Sequence, residues 1–290
     1  MFTSVADLTA SAAQSGYSFA EFILRDEAVQ DNVSPENVRS QMEQALDVMI
    51  ETSRSYEADD RSGSGLSGGQ AGCYRKAASD GSLFGGEYWN AVTVEALKTA
   101  ESNACMKRIV AAPTAGSCGV LPAVLLPLLN SGEITRDQAV DALFVAGAFG
   151  EVIASRATVA GASGGCQAEI GSASSMAAAA LVSLKDGTPQ MCAHAAAMAL
   201  TNLLGLVCDP IAGLVEIPCV KRNVTGAVNA VSCANMALAG LTSRIPCDEV
   251  IDAMGEVGTA IISDLRETGV GGLAGTPTGR RIADKILHTK

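Results

Sequence analysis

Histidine, aromatic side chains and closely spaced cysteines are all scarce in this chain, and each scarcity removes a class of function. Only His194 and His288 occur among 290 residues. A serine hydrolase would therefore need its base from an alanine-rich helix or from near the terminus. No two cysteines lie closer together than Cys208 and Cys219, so the paired spacing of zinc fingers and ribbons is missing. Aromatics make up 4% of the chain while 48% is apolar, which points to a core built from helices in close approach over alanine and glycine. Basic residues number 20 against 31 acidic, a net charge of −11 with no basic stripe, which argues against nucleic acid as a partner. The longest apolar run, residues 119–129, is too short to cross a bilayer and contains Pro122 and Pro127. The N-terminus shows no basic region followed by an apolar stretch. These features predict a cytoplasmic protein with no membrane partner.

What is present is helical periodicity. Ser34-Pro35-Glu36 opens a helix carrying Val38, Met42, Leu46 and Met49 on one face. Thr135 with Gln138 forms a capping pair that opens another, running to about residue 157. A helix from about Trp89 to Val110 and small-residue helices near 167–186, 189–206, 224–243 and 246–266 are predicted, with a short one at the C-terminus. No period-2 strand and no repeat is visible. The expected fold class is all-α: a compact helical domain over residues 61–290 with an N-terminal helical extension over 1–60. Residues 61–72 hold five glycines and read as a loop.

Nine cysteines in a reducing compartment leave metal, catalysis or plain burial as explanations. Cys105, Cys192, Cys233 and Cys247 sit in apolar helical surroundings and read as core residues. Cys166 in Ser-Gly-Gly-Cys-Gln, Cys208 in Gly-Leu-Val-Cys-Asp-Pro and Cys219 in Glu-Ile-Pro-Cys-Val-Lys-Arg-Asn instead sit where helices meet loops. Spacing alone does not identify a metal for them. Leu66-Ser67-Gly68-Gly69-Gln70 spells the signature peptide of ABC-transporter ATPases, yet Lys98, the lysine followed by threonine, has no glycine before it to make a phosphate loop.

Five longer strings occur in order: residues 109–117 (Ile-Val-Ala-Ala-Pro-Thr-Ala-Gly-Ser), 164–171 (Gly-Gly-Cys-Gln-Ala-Glu-Ile-Gly), 204–210 (Leu-Gly-Leu-Val-Cys-Asp-Pro), 213–223 (Gly-Leu-Val-Glu-Ile-Pro-Cys-Val-Lys-Arg-Asn) and 271–279 (Gly-Gly-Leu-Ala-Gly-Thr-Pro-Thr-Gly). Together they resemble the alpha chain of bacterial iron–sulfur-dependent L-serine dehydratases over roughly residues 60 to 285. The resemblance implies a helical catalytic domain that turns L-serine into pyruvate and ammonia without pyridoxal phosphate. It implies Cys166, Cys208 and Cys219 as ligands of a [4Fe–4S] cluster whose fourth iron stays open to substrate as a Lewis acid. It also implies a separate beta subunit that carries the general base, and an oligomeric assembly; the catalytic base is thus unassigned in this chain. Cys73 and Cys118 are read as incidental.

Holding serine requires groups for its carboxylate and ammonium. Thr114, Ser117 and Ser163 offer hydroxyls beside uncluttered backbone N–H groups, and Lys221, Arg222 and Asn223 follow directly on Cys219; these six are the expected substrate-binding residues. Thr276 and Thr278 lie in a glycine loop placed to close over the site. Two rival readings remain: a related iron–sulfur lyase that releases sulfide from L-cysteine, and a non-catalytic helical binding or assembly subunit with merely buried cysteines.

Overall fold

The structure, a computed structural model, describes residues 2–288. Thirteen α-helices appear among them and no strand; the one β-type pairing is an isolated bridge between Cys208 and Arg266. The helices are α1 (Val5–Ser15), α2 (Phe19–Gln30), α3 (Pro35–Arg54), α4 (Gln70–Ser79), α5 (Glu87–Ala104), α6 (Val120–Ser131), α7 (Arg136–Arg156), α8 (Gly161–Gly164), α9 (Ser172–Ser183), α10 (Pro189–Thr201), α11 (Cys219–Leu238), α12 (Cys247–Ala260) and α13 (Pro277–His288).

Local signals set several boundaries. Ser34 caps α3 by accepting from the Asn37 amide with Pro35 in the first turn, and Thr135 and Gln138 form the reciprocal box at the start of α7. Several expectations move: the helix expected to run to Val110 ends at Ala104, and the one expected to run to 206 ends at Thr201. The helix placed at 224 begins at Cys219, because tertiary bonds made by Arg222 and Asn223 hold a first turn whose composition reads as loop. The helix placed at 246–266 ends at Ala260, where the chain turns extended at Ile261.

α9 is the central rod. Its residues from Ser172 to Val182 are all buried, and it packs against α6, α7, α10 and α11. A helix surrounded on every side must be small if its neighbours are to come close, and alanine, serine and methionine supply that. Two of its hydroxyls are satisfied across the helix interfaces: Ser174 Oγ donates to Gly226 O at 2.8 Å and Ser175 Oγ to Ala196 O at 3.0 Å. Opposite, Gly226 in α11 has no room for a methyl group, since a Cβ there would stand 2.9 Å from Ile170 Cγ2 and 3.0 Å from Val120 Cγ2. Gly226→Ala is expected to destabilise the protein by about 1–3 kcal/mol through overpacking, read from chemical denaturation.

α7 is long and apolar enough to cross a bilayer, but 67% of its most apolar window is buried inside the protein. The N-terminal helices α1–α3 join the same hydrophobic core, with Leu8, Ile23 and Leu46 packed into one cluster with Phe149, Ile153 and Leu200. Glu27 on α2 and Glu151 on α7 face each other there, both with pKa values raised first by burial. Asp31 and Asp26 push Glu27 further up, and Glu27 does the same to Glu151. A carboxyl whose folded pKa is raised destabilises the fold above that pKa, and the penalty vanishes as pH falls below the unfolded value. Glu151→Gln should therefore raise the melting temperature at neutral pH, with the gain disappearing toward acid.

All nine cysteines are free thiols. Cys192, Cys233 and Cys247 are buried, as their surroundings predict, whereas Cys105 is half-buried at the C-terminal cap of α5 rather than in the core.

Candidate metal centre

Three chain segments meet around Cys166. The first passes from α8 through Gly165, whose positive φ of 78° turns the chain, to Cys166 and then a π turn over Gln167–Gly171 that runs into α9. The second is the extended stretch at Cys208, held by Cys208 N donating to Leu265 O at 2.9 Å and by Glu267 N donating to Cys208 O at 2.7 Å. The third is the N-terminus of α11, where Cys219 is the first helical residue.

Gln167 binds the first two segments together, a role the sequence reading did not assign. Its side chain is fully buried, donating to Gly164 O at 2.9 Å and Met254 O at 3.0 Å and accepting from Gly205 N at 2.8 Å. Its own amide donates to Leu206 O at 2.9 Å. The segments carrying Cys166 and Cys208 are thus coupled through a buried amide with its polar atoms satisfied.

Arg222, one turn into α11, joins all three segments. One guanidinium nitrogen, Nη1, lies 3.2 Å from Cys166 Sγ and donates to Val207 O at 2.8 Å; the other, Nη2, pairs with Asp209 Oδ1 at 2.8 Å. Asp209 in turn accepts from Leu273 N at 2.8 Å, which ties in the glycine-rich segment near 270.

The sulfur electrostatics follow. Cys166 is held below the usual thiol range, chiefly by a hydrogen bond from the Cys208 thiol and then by Arg222, against the opposing cost of burial. Cys208 is pushed strongly upward as the proton-bearing partner of that pair. Cys219 is pushed up to about 12, first by burial and then by the negative charges of Cys166 and Glu169, with Arg222 acting against them. Glu169 thus acts on all three sulfurs.

Glu169 completes the group. Its carboxylate and the sulfurs of Cys166 and Cys208 offer ligand atoms all within 4.8 Å of one another. Burial raises its pKa, with Glu267 adding to the rise, while Thr114 and Arg222 oppose it. Two glycines make the space it occupies: a Cβ at Gly116 would stand 3.0 Å from Oε1, and one at Gly161 would stand 2.7 Å from Oε2 and 3.1 Å from Cys208 Sγ. The sequence signal was present in Cys166-x-x-Glu169, whose spacing places both side chains on one face of a helical turn.

The expected substrate residues divide. Thr114 reaches the group, its hydroxyl donating to Glu169 Oε1 at 2.9 Å. Ser117 is buried and lies 3.1 Å from the Thr114 hydroxyl, the two forming a capping box on the turn over Ala115–Ser117. Arg222 lies at the centre, with its charge committed to Asp209 and Cys166. Asn223 is buried beneath the loop: its Nδ2 donates to Gly116 O at 2.8 Å and Cys219 O at 3.0 Å, and its Oδ1 accepts from Gly119 N at 2.8 Å. Ser163 is exposed on α8, and its hydroxyl makes no hydrogen bond among the described residues. Lys221 is exposed and lines a different pocket of about 610 Å³, together with Arg61, Cys73, Tyr74 and Val224. Thr276 hydrogen-bonds Leu273 O and the Gly279 amide, and Thr278 falls in the first turn of α13 rather than in a loop.

The glycine loop before α4 supports the centre from outside. Ser62 and Ser64 donate to the two oxygens of Glu216, at 2.6 and 2.7 Å, three residues before Cys219. Glu101 holds the same loop from α5, accepting from Gln70 N at 2.8 Å and from Tyr56 Oη at 2.7 Å. Gly65–Gly69 and Gly161–Gly165 both have nucleophile-elbow spacing, yet neither Ser67 nor Ser163 hydrogen-bonds a histidine or follows a strand.

A family profile described as serine dehydratase alpha chain matches residues 14–274. The chain belongs to that family. Its members include the "Probable L-serine dehydratase, alpha chain" of Bacillus subtilis, 46% identical over 99% of this chain and 96% of that protein. The "L-serine dehydratase, alpha chain" of Peptoniphilus asaccharolyticus is 42% identical over 94% of each chain. Against the longer "L-serine dehydratase 1" of Escherichia coli the match is 42% identical, covering 63% of this chain and 41% of that protein. Family membership gives the Cys-rich group a context: these are alpha chains, and the motifs at Cys166, Cys208 and Cys219 fall within the matched region.

Proposed function

We propose that this chain is the metal-bearing alpha subunit of an L-serine ammonia-lyase that forms pyruvate and ammonia, with a [4Fe–4S] cluster held by Cys166, Cys208 and Cys219. What supports the reading is the close approach of Cys166 and Cys208 beside Glu169, with Arg222 on Cys166 and Cys219 near enough to feel the charges of Cys166 and Arg222 although its sulfur stands outside that tight group. The donor set suits such a cluster. A low-pKa thiolate is already favoured at Cys166, and Gly161 has no Cβ to crowd Cys208 and Glu169, which it would meet at 3.1 and 2.7 Å.

When bound, a three-cysteine cluster supplies an open iron, a Lewis acid for the serine hydroxyl worth several kcal/mol. The chain's own residues do the rest of the positioning. Arg222 offsets thiolate charge and fixes the Cys208 stretch through Val207 O and Asp209. Gln167 locks the Cys166 and Cys208 segments in register, and Glu216 holds the Cys219 segment against the serine–glycine loop. Thr114 and the turn over Ala115–Ser117 place hydroxyls and small residues at the rim. Proton removal from the α-carbon is assigned to the partner subunit that the alpha-chain names imply, since His194 lies on α10 and His288 at the end of α13. A reducing, cytoplasmic setting suits both the free cysteines and the cluster.

The test is iron and acid-labile sulfide analysis under anaerobic conditions on protein co-expressed with its beta chain, followed by a pyruvate assay with L-serine. About four irons and four sulfides per alpha chain, with serine-dependent pyruvate, is the expected result. Colourless protein that resists reconstitution would return the chain to the binding-subunit reading, and sulfide release from L-cysteine without pyruvate from serine would make it the related lyase.

A further inference from the structure

The cavity beside Lys221 differs in charge from others of comparable size. Its lining holds two cations, Arg61 and Lys221, and no acidic side chain, in a chain whose net charge is −11. Three further cavities, of about 510, 430 and 600 Å³, each carry two carboxyl groups: Asp141 and Asp186, Glu27 and Glu151, and Glu87 and Glu95. Neither cation beside Lys221 is neutralised from within the chain. Lys221 makes no side-chain hydrogen bond or ion pair among the described residues. Arg61 Nη1 donates to two uncharged carbonyls, Ala58 O at 2.8 Å and Asp60 O at 2.7 Å, while the Asp60 carboxylate pairs with Lys107. The start of α4 at the cavity floor is already served, since the amides of Gly68, Gln70 and Ala71 donate to Glu101. Attraction for an anion therefore comes from the two side chains and not from the helix end. The remaining wall is apolar or engaged: Leu97 and Val224 present alkyl surface, the Tyr74 hydroxyl is bonded to Asn90 and the Thr93 hydroxyl to Trp89 O. A volume of about 610 Å³ with apolar walls and a few charged groups is the ordinary design of a small-molecule site.

We propose that this cavity is a binding site for a small organic anion with an apolar body, its acidic head taken by Arg61 and Lys221 and its body by Leu97, Val224 and the ring of Tyr74. None of Cys166, Cys208 and Cys219 lines it, so the site is separate from the candidate metal centre. A cleft lined by one sign of charge concentrates ligands of the opposite sign. That selects the anion over its neutral or cationic isostere, and the walls select an apolar body over a small polar solute such as serine. Cys73 on α4 is exposed and shares the lining, which provides a thiol that a bound ligand shields.

The experiment follows alkylation of Cys73 by N-ethylmaleimide in the co-expressed alpha–beta complex, read by mass spectrometry of the peptide that contains it, with 3-phenylpropanoate as the probe. The carboxylate should slow labelling in a saturable way. 3-Phenylpropan-1-ol and 3-phenylpropylammonium keep the body and change the head, and should need at least about tenfold higher concentrations for half protection, the value of a charge-assisted hydrogen bond. Lys221→Met, which removes no side-chain bond of the folded chain, should raise the half-protection concentration of the carboxylate about tenfold and leave that of the alcohol unchanged; Lys221→Arg should restore it. Equal protection by all three heads would reduce the cavity to an apolar patch, and no saturable protection by the carboxylate would leave no site. Protection by L-serine at the same concentrations would make the cavity part of the active site, and a Cys73 that labels in the alpha chain alone but not in the complex would make it a subunit contact. Each of these overturns the proposal. The readout needs neither iron nor turnover, so it stands or falls apart from the lyase reading.

Discussion

Cys166→Ser, purified anaerobically with its beta chain, is expected to lose the visible absorbance of the cluster and to form pyruvate on the order of a thousandfold more slowly. The magnitude follows from the value of the lost Lewis acid, several kcal/mol, at about 1.4 kcal/mol per factor of ten. Serine cannot substitute for the sulfur because its hydroxyl is not ionised at neutral pH, whereas Cys166 is the sulfur that Arg222 and the Cys208 thiol together favour as a thiolate. Cys208→Ser and Cys219→Ser should behave alike, since all three supply the same donor. The control is Cys73→Ser on exposed α4, which should keep its iron. Iron content per chain, measured alongside the rate, decides the matter: full iron in Cys166→Ser would remove that residue from the ligand set.

Arg222→Met should have the second largest effect, and on stability as well as on metal. Asp209 and Arg222 side chains are only 5% and 14% exposed, so deleting the cation strands a buried carboxylate and a buried thiolate at once. Breaking a buried pair by removing one partner costs about 3–5 kcal/mol. The expected readout is a large drop in denaturant midpoint with an unchanged slope, accompanied by weaker iron retention. Adding Asp209→Asn should recover part of the stability, because the stranded charge goes with it, but not the iron, because Cys166 still lacks its cation. A double variant no more stable than Arg222→Met would mean that the guanidinium acts mainly through Val207 O and not through Asp209.

The difference between these two residues shows what could be read early. Cys166 and its two companions stand in long, unusual strings, so a linear reading can single them out. Arg222 could be singled out too, but only as a charge beside a cysteine, with anchoring, carboxylate binding and solvation all open. Its partners come from positions 166, 207 and 209, and such partners are decided by how helices pack rather than by spacing. Lys221, its neighbour, looks equivalent in sequence and turns instead to a different pocket, because adjacent residues on a helix point about 100° apart. Asn223 is drawn inward the same way, and its amide is used to hold the Gly116–Gly119 loop.

By itself the sequence determined the helical class, the caps at Ser34 and Thr135, the small-residue core and the three cysteines with their family. Those are properties of local periodicity, of side-chain size and of contiguous strings. Tertiary structure alone decided that Gln167 couples two cysteine segments, that α11 begins at Cys219 instead of residue 224, and that Glu169 enters the site between Gly116 and Gly161. Each of these depends on the balance of buried charge and hydrogen bonds among residues distant in the chain, and that balance exists only once the helices have packed.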